Sequence, residues 1–263
     1  MNRMDNRVDT FTDLLGGHYP IWPDVETAMS LLRSTYPDGQ LGRGWVFRGQ
    51  ADARWGLTPS LYRSPLNETE VNRRCEYTKR FLCALSKQAR IQISPSLEPH
   101  KRSDDEQIAL AQHYGYPTHL LDFTYSAHVA AFFTTYGRPI ESRIGVIYCL
   151  NQQEWSTFEN PFACLGTTQP ESEALLLEKG LHPAPPIRII DPVYVPRIKL
   201  QKGLFVAVEK QGFNLLEVII DRFYFVHSPG LVYQAPTFTE ASLFPFDDPI
   251  ADFAVGWRIS NPQ

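Results

Sequence analysis

The chain has 263 residues, of which 43% are hydrophobic and 21% charged, with a formal net charge of −4. That composition excludes a disordered or fibrous protein, and the length is enough to bury a substantial core. The slight acidic excess argues against a surface built to coat nucleic acid, although a local basic groove remains compatible with it.

Residues 1–20 are polar and are expected to fray, leaving 21–263 as one folded α+β unit. Pro23-Asp24 opens a predicted helix with Val25, Ala28, Leu31 and Leu32 at helical spacing, ending near Pro37-Asp38-Gly39. Trp45 to Arg48 reads as a strand, and the stretch to Pro59-Ser60-Leu61-Tyr62-Arg63 as loop and extended chain. From about Glu68 to Ala89 neither proline nor glycine interrupts the chain, so a long helix is expected, with Phe81, Leu82 and Leu85 on one face. A polar loop from Pro95 to Ser103 leads to Asp104-Asp105, a helix-capping pair, and that helix stops at Gly115. Ser126 can cap the next helix, from Ala127 to about Tyr136, whose Val129, Ala130, Phe132 and Phe133 mark it as buried. Ile144 to Leu150 and Gly203 to Val208 read as core strands, and Glu171 to Lys179 as a helix ended by Gly180. Between Leu215 and Val226 the pattern fits a strand or a short helix. Proline recurs through 183–196 and 229–249, which are expected to be loops and short strands.

The four cysteines, at 75, 83, 149 and 164, show no Cys-x-x-Cys spacing, and no secretory leader is recognised ahead of them. Reduced thiols and a cytoplasmic location are the expectation. No apolar run approaches the roughly 18 residues that span a bilayer, so no membrane partner is expected.

Two segments gather chemistry. In Trp45-Val46-Phe47-Arg48-Gly49-Gln50 a strand delivers a guanidinium next to a glycine, where a ligand can approach the backbone. Such an arginine either clamps a phosphate or carboxylate through two parallel hydrogen bonds, or pairs a structural carboxylate, for which Glu76 is a candidate. From Gln112 to Ser126 the chain collects His113, Tyr114, His119, Asp122, Thr124 and Ser126. With His128, the histidines and Asp122 have the donor chemistry of a metal site but match no trusted ligand spacing, so no metal is expected. Ser60, Ser126 and the cysteines lack a nucleophile signature, and no phosphate loop occurs. The acidic residues at 104–106, 171–173 and 247–248 read as caps or solvated loops.

Phe47-Arg48-Gly49-Gln50, followed by Leu57-x-Pro59-Ser60-Leu61-x-Arg63, resembles the opening of the FRG-domain family. The resemblance continues through Glu76 and Phe81, the Gln112-His113-Tyr114-Gly115-x-Pro117-Thr118 block, and Leu120-Leu121-Asp122-x-Thr124-x-Ser126. It reappears at Arg197-x-x-x-Gln201-x-Gly203-x-Phe205 and Leu243-Phe244-Pro245, and so spans about residues 25–250. His119 stands where that family commonly has arginine, and Phe123 where tryptophan is common. A second resemblance, to ADP-ribosyltransferases, rests on Arg48 at a strand end and on Asp122-Phe123-Thr124-Tyr125-Ser126 running into an apolar helix.

That second resemblance implies a mixed or antiparallel sheet with flanking helices, and NAD as substrate, in a toxin or phage-defence effector that transfers or hydrolyses ADP-ribose. Arg48, Thr124, Gln201 and His113 are then the expected catalytic residues, with Gly49, Gln50, Tyr114, Asp122 and Ser126 joining Arg48 around the nucleotide. The oxocarbenium-like chemistry calls for a carboxylate, yet Gln201 occupies the stretch where such enzymes carry glutamate, and Glu209 lies beyond the match. Two other readings stand beside it: a non-enzymatic sensor of nucleotide, nucleic acid or protein, and a metal-dependent hydrolase using His113, His119 and His128. The catalytic reading requires Arg48 and Thr124 to converge on one solvent-reachable cavity.

Overall fold

The computed structural model describes residues 9–36, 44–63, 67–92, 102–136, 144–152, 187–192, 196–209, 211–219, 221–228, 230–235, 238–244 and 248–261. The helix expected at 171–180, the turn at 37–39 and most of the loop at 95–103 lie outside these residues. The strands are β1 (Thr10–Thr12), β2 (His18–Trp22), β3 (Trp45–Gln50), β4 (Leu120–Thr124), β5 (Ile144–Asn151), β6 (Ile187–Ile190), β7 (Gly203–Val208) and β8 (Asp221–Val226). The helices are α1 (Val25–Thr35), α2 (Glu68–Gln92), α3 (Asp104–His113), α4 (Ala127–Thr135), α5 (Pro196–Leu200), α6 (Glu240–Leu243) and α7 (Pro249–Ser260). The strands form one mixed sheet in the order β1-β2-β8-β5-β3-β4-β7-β6. β2 runs parallel to β8, and the other neighbours are antiparallel.

Strand alternation splits the core between the two faces of this sheet. On one face Phe47, Ile147, Cys149, Phe223 and Phe225 pack beneath α1 and α4. Further along the same face, Leu120, Phe205 and Ala207 pack with residues of α2, α3 and α7. The opposite face carries Val46, Leu121, Phe123, Val146, Tyr148, Val206 and Tyr224, covered by Ala53, Leu57 and a 3-10 turn at Leu215–Val218. Phe47 lies opposite Thr124, so the two helical packs meet where β3 adjoins β4.

The local signals act as expected in α1, where Asp24 Oδ1 accepts from Thr27 N at 2.7 Å. Gly115 ends α3 at φ +79°, with Tyr116 N donating to the Ala111 carbonyl at 3.0 Å. The cap at the start of α3 is Ser103 rather than Asp104. Its Oγ accepts from Glu106 N, while the Glu106 carboxylate accepts from Ser103 N at 3.0 Å, a reciprocal capping box. The ambiguous 215–226 stretch contains both candidates, a 3-10 turn at Leu215–Val218 and then β8.

Some expectations are corrected. Ser60–Tyr62 is a 3-10 turn rather than extended chain. In the segment read as frayed, Thr10–Thr12 is strand and His18–Trp22 begins as strand, because β1 pairs with β2 and β2 in turn with β8, a sheet partner that local composition cannot reveal. The proline-rich stretches hold β6, α6 and the start of α5 as well as loops, and α7 follows with Pro249 in its first turn, where a missing N–H costs nothing. Cys75, Cys83 and Cys149 are free thiols. No helix among the described residues is long and apolar enough to cross a membrane.

Candidate functional site

The site begins at β3, where alternation turns Phe47 and Gly49 toward α4 and sends Arg48 and Gln50 to the other face. Among the described residues the registered β3–β4 pair is Phe47 with Thr124. Beside it the Arg48 guanidinium bridges the two strands. Its Nη1 donates to the Asp122 carbonyl at 2.7 Å and stands 3.9 Å from the Asp122 carboxylate. A side chain thus supplies a donor to a strand carbonyl, and Nε of the same arginine stays buried without a partner. Gly49 is required by contact: a Cβ there would lie 1.9 Å from the Ala130 carbonyl oxygen and 2.2 Å from Thr134 Oγ1.

A cavity of about 610 Å³ opens at this edge, lined by Arg48, Gly49, Gln50, Ala51, Trp55, Gly56, Thr58, Tyr62, Arg63 and Phe133. One wall is the loop after β3. Buried Gln50 ties it down through Nε2, which donates to the carbonyls of Trp55 at 2.6 Å and Asp52 at 3.3 Å. His227 Nε2 donates to the Ala51 carbonyl at 2.8 Å, and Ala53 N to the Ile144 carbonyl at 3.0 Å. The loop so held presents Trp55 at 45% exposure.

The facing wall is the turn at 60–62 together with Arg63. Leu61 N donates to the Thr118 carbonyl at 3.0 Å, and Thr118 N donates to Ser60 Oγ at 3.1 Å. Arg74 Nη1 donates to the carbonyls of Ser60 at 3.0 Å and Arg63 at 3.2 Å. Gln112 then joins this wall to β4, accepting from Thr118 Oγ1 at 2.5 Å and donating to Asp122 Oδ2 at 2.8 Å. The polar residues from Gln112 to Asp122 therefore form a bracket that sets the wall and the arginine in register.

Burial lowers the pKa of Arg48; Asp122 opposes that effect, and nearby Arg63 adds to it. Among the described lining residues there is no carboxylate and no histidine. Tyr62 has its pKa raised, chiefly by burial and then by Cys75 and Glu209, so its phenol remains a hydrogen-bond donor. Two guanidinium groups, hydroxyl donors and three large aromatic rings suit an anionic group attached to a planar apolar one.

The other expected residues are distributed elsewhere. Thr124 is buried; its Oγ1 donates to the Gln201 carbonyl at 2.9 Å and accepts from Ser126 N at 3.1 Å. It leaves β4 on the face opposite Arg48 and does not line the cavity, so the anticipated convergence of Arg48 and Thr124 is not what the fold builds. Ser126 Oγ accepts from Val129 N at 3.4 Å and caps α4. Gln201 Nε2 donates to the Leu243 carbonyl at 3.1 Å. Together these three residues stitch the β4–α4 turn to the α5–β7 turn. Glu76 pairs with Lys79 at 2.8 Å on the surface, and the carboxylate beside Arg48 is that of Asp122.

Tyr114 donates its hydroxyl to Asp248 Oδ1 at 2.9 Å. His113 Nε2 is buried without a partner; burial first, and Arg197 second, push its pKa down to about 3. His128 Nδ1 bonds the Tyr233 hydroxyl at 2.6 Å, and His119 lies near Glu209, Arg188 and Asp105. No group of three or more His, Cys, Asp or Glu able to hold a metal occurs among the described residues. Sequence reasoning assigned no role to Trp55, Thr58, Tyr62, Arg63 or Phe133. The Leu57–Arg63 block contained the signal for Arg63, a second arginine just past an apolar turn. Phe133 was hidden inside a helix read as buried.

Compared with known proteins, residues 43–141 match the FRG domain family. No curated protein and no solved structure matches the chain.

Proposed function

Since the chain carries an FRG domain over residues 43–141, we propose that this domain binds a phosphorylated nucleotide, NAD or a relative of it, in the Arg48–Arg63 cavity. The observation that carries the reading is the make-up of the wall: two arginines, no carboxylate among the described lining residues, and Trp55, Tyr62 and Phe133 beside them. Guanidinium forks recognise phosphate oxygens through paired hydrogen bonds, and aromatic faces take a base. A cavity of about 610 Å³ lies within the usual range for small-molecule sites.

Calorimetry with NAD and AMP tests it. Arg48→Ala is expected to weaken binding about 10- to 100-fold, the worth of a charge-assisted hydrogen bond. Wild-type protein that binds neither ligand sinks the reading.

Turnover is a second reading, favoured by Asp122. Its carboxylate, 52% exposed, stands 3.9 Å from Arg48 and is held by Gln112, so it offers the acidic group that position 201 lacks. Asp122 is not itself a lining residue, so in ADP-ribose transfer or hydrolysis its carboxylate would have to turn past Arg48 to face the oxocarbenium-like centre as the nicotinamide bond breaks and water or an acceptor hydroxyl takes its place. Nicotinamide release that disappears in Asp122→Asn, with NAD affinity retained, is the expected outcome of this reading. Release that persists in the variant, or that is absent from the wild type, removes it and leaves a binding module. A toxin or defence role would follow from NAD consumption and is tested by growth arrest on expression.

A further inference from the structure

We propose that Arg197 and His113 form a second recognition point, for an additional oxyanion on an elongated ligand whose first phosphate sits at Arg48. The proposal rests on the nucleotide reading of the cavity and extends it to the far end of the ligand.

The cation of Arg197 is only loosely compensated. Its Nη1 lies 3.8 Å from Asp248 Oδ2, beyond hydrogen-bond distance, while its Nε is buried without a partner. Asp248 is committed elsewhere, accepting from the Tyr114 hydroxyl at 2.9 Å and from Ala251 N at 3.0 Å. His113, whose imidazole feels the charge of this arginine, also has a buried and unpartnered Nε2. In its Nε2–H tautomer the imidazole gives a second N–H donor. Buried polar atoms are normally satisfied, and two such donors without an acceptor in the same region point to an oxygen-rich group that completes them. Among the described residues Arg222 Nε and Asp13 Oδ2 are also unpartnered, but they face each other at 3.4 Å and need no third party.

Arg197 is also placed to share a ligand with the cavity. Its guanidinium lies 4.8 Å over the Phe244 ring, and Phe244 meets Phe133 edge to face at 5.9 Å. Phe133 is itself a wall of the cavity. With 26% of its side chain exposed, Arg197 is open to an incoming group. The ligand class is therefore a nucleotide with a phosphate beyond those that AMP or NAD carries.

Two matched pairs test the idea, AMP against ATP and NAD against NADP, with each affinity measured calorimetrically. In at least one pair the member with the extra phosphate is expected to bind at least about tenfold tighter, as one charge-assisted contact provides. Arg197→Gln is expected to cancel that gain while leaving AMP and NAD affinities in place, and Arg197→Lys to restore only part of it. Circular dichroism checks that the variants are folded. No preference in either pair, or a preference surviving in Arg197→Gln, overturns the second point, and Arg48-dependent binding of AMP or NAD then leaves the cavity reading intact. If none of the four ligands binds, the cavity reading fails, and inorganic phosphate followed through the His113 ring resonances still decides the second point. A shift abolished by Arg197→Gln sustains it as a separate phosphate site; an unmoved ring overturns it.

Discussion

Single residues in this protein separate chemistry from scaffolding. Thr124 and Arg48 belong to neighbouring strands and both look functional in the sequence, yet only Arg48 reaches the cavity. The hydroxyl of Thr124 is spent on the Gln201 carbonyl and the Ser126 amide. Thr124→Val is therefore expected to cost about 1–3 kcal/mol of stability, by stranding buried backbone groups, and to leave nucleotide affinity unchanged. Urea titration beside calorimetry checks both halves; a folded, stable variant that no longer binds would return Thr124 to the site. Gly49 is the opposite case, demanded by backbone. With Ala130 O 1.9 Å from any added Cβ, Gly49→Ala must lift α4 off β3. Overpacking of this kind is expected to destabilise by about 3 kcal/mol or more, read as a fall in thermal midpoint, and near-wild-type melting would contradict that packing.

Among the elements, α3 shows how far local rules reach. Its start was legible to within one residue, because Ser103, Asp104 and Asp105 can all cap a helix. The reciprocal bonds with Glu106 select Ser103. Ser103→Ala should cost about 1 kcal/mol, the usual worth of a cap. Asp104→Ala should cost at most a few tenths through the helix dipole. Equal losses measured by chemical denaturation would mean the cap is shared. The end of α3 divides: Gln112 leaves its last turn to brace Thr118 and Asp122, while His113 enters a buried environment that feels the charge of Arg197. Consecutive helical residues point about 100° apart, so one polar stretch serves two places. That divergence could not be read from spacing.

Over the whole molecule, burial of His113 ties folding to pH. Its folded pKa is near 3, well below its ordinary value, because desolvation and then Arg197 oppose the imidazolium. Unfolding releases the ring to take a proton below about pH 6.5, which the native state resists. Stability is thus present in full above that pH and declines as pH falls toward 3. His119, also lowered chiefly by burial, adds in the same direction. The urea midpoint is expected to drop between pH 7 and pH 5, and His113→Leu to flatten part of that slope. An unchanged slope in the variant would place a solvated imidazole at 113.

The sequence by itself determined the α+β class, the start of α1 at Pro23-Asp24, the stop at Gly115, the strands at 45–48, 144–150 and 203–208, and the placing of Arg48 and Gly49 at the end of a strand. These follow from periodicity, capping and the steric demands of one residue, all of which act over a few positions. Only the tertiary structure decided that β1 and β2 extend the sheet, that Asp122 rather than Glu76 meets Arg48, and that Arg63, Trp55 and Phe133 share its cavity. Apart from the β1–β2 and β6–β7 pairs, strand order depends on partners more than fifty residues away. No local pattern encodes that pairing, because hydrophobic burial rewards the assembled sheet and not its separate strands.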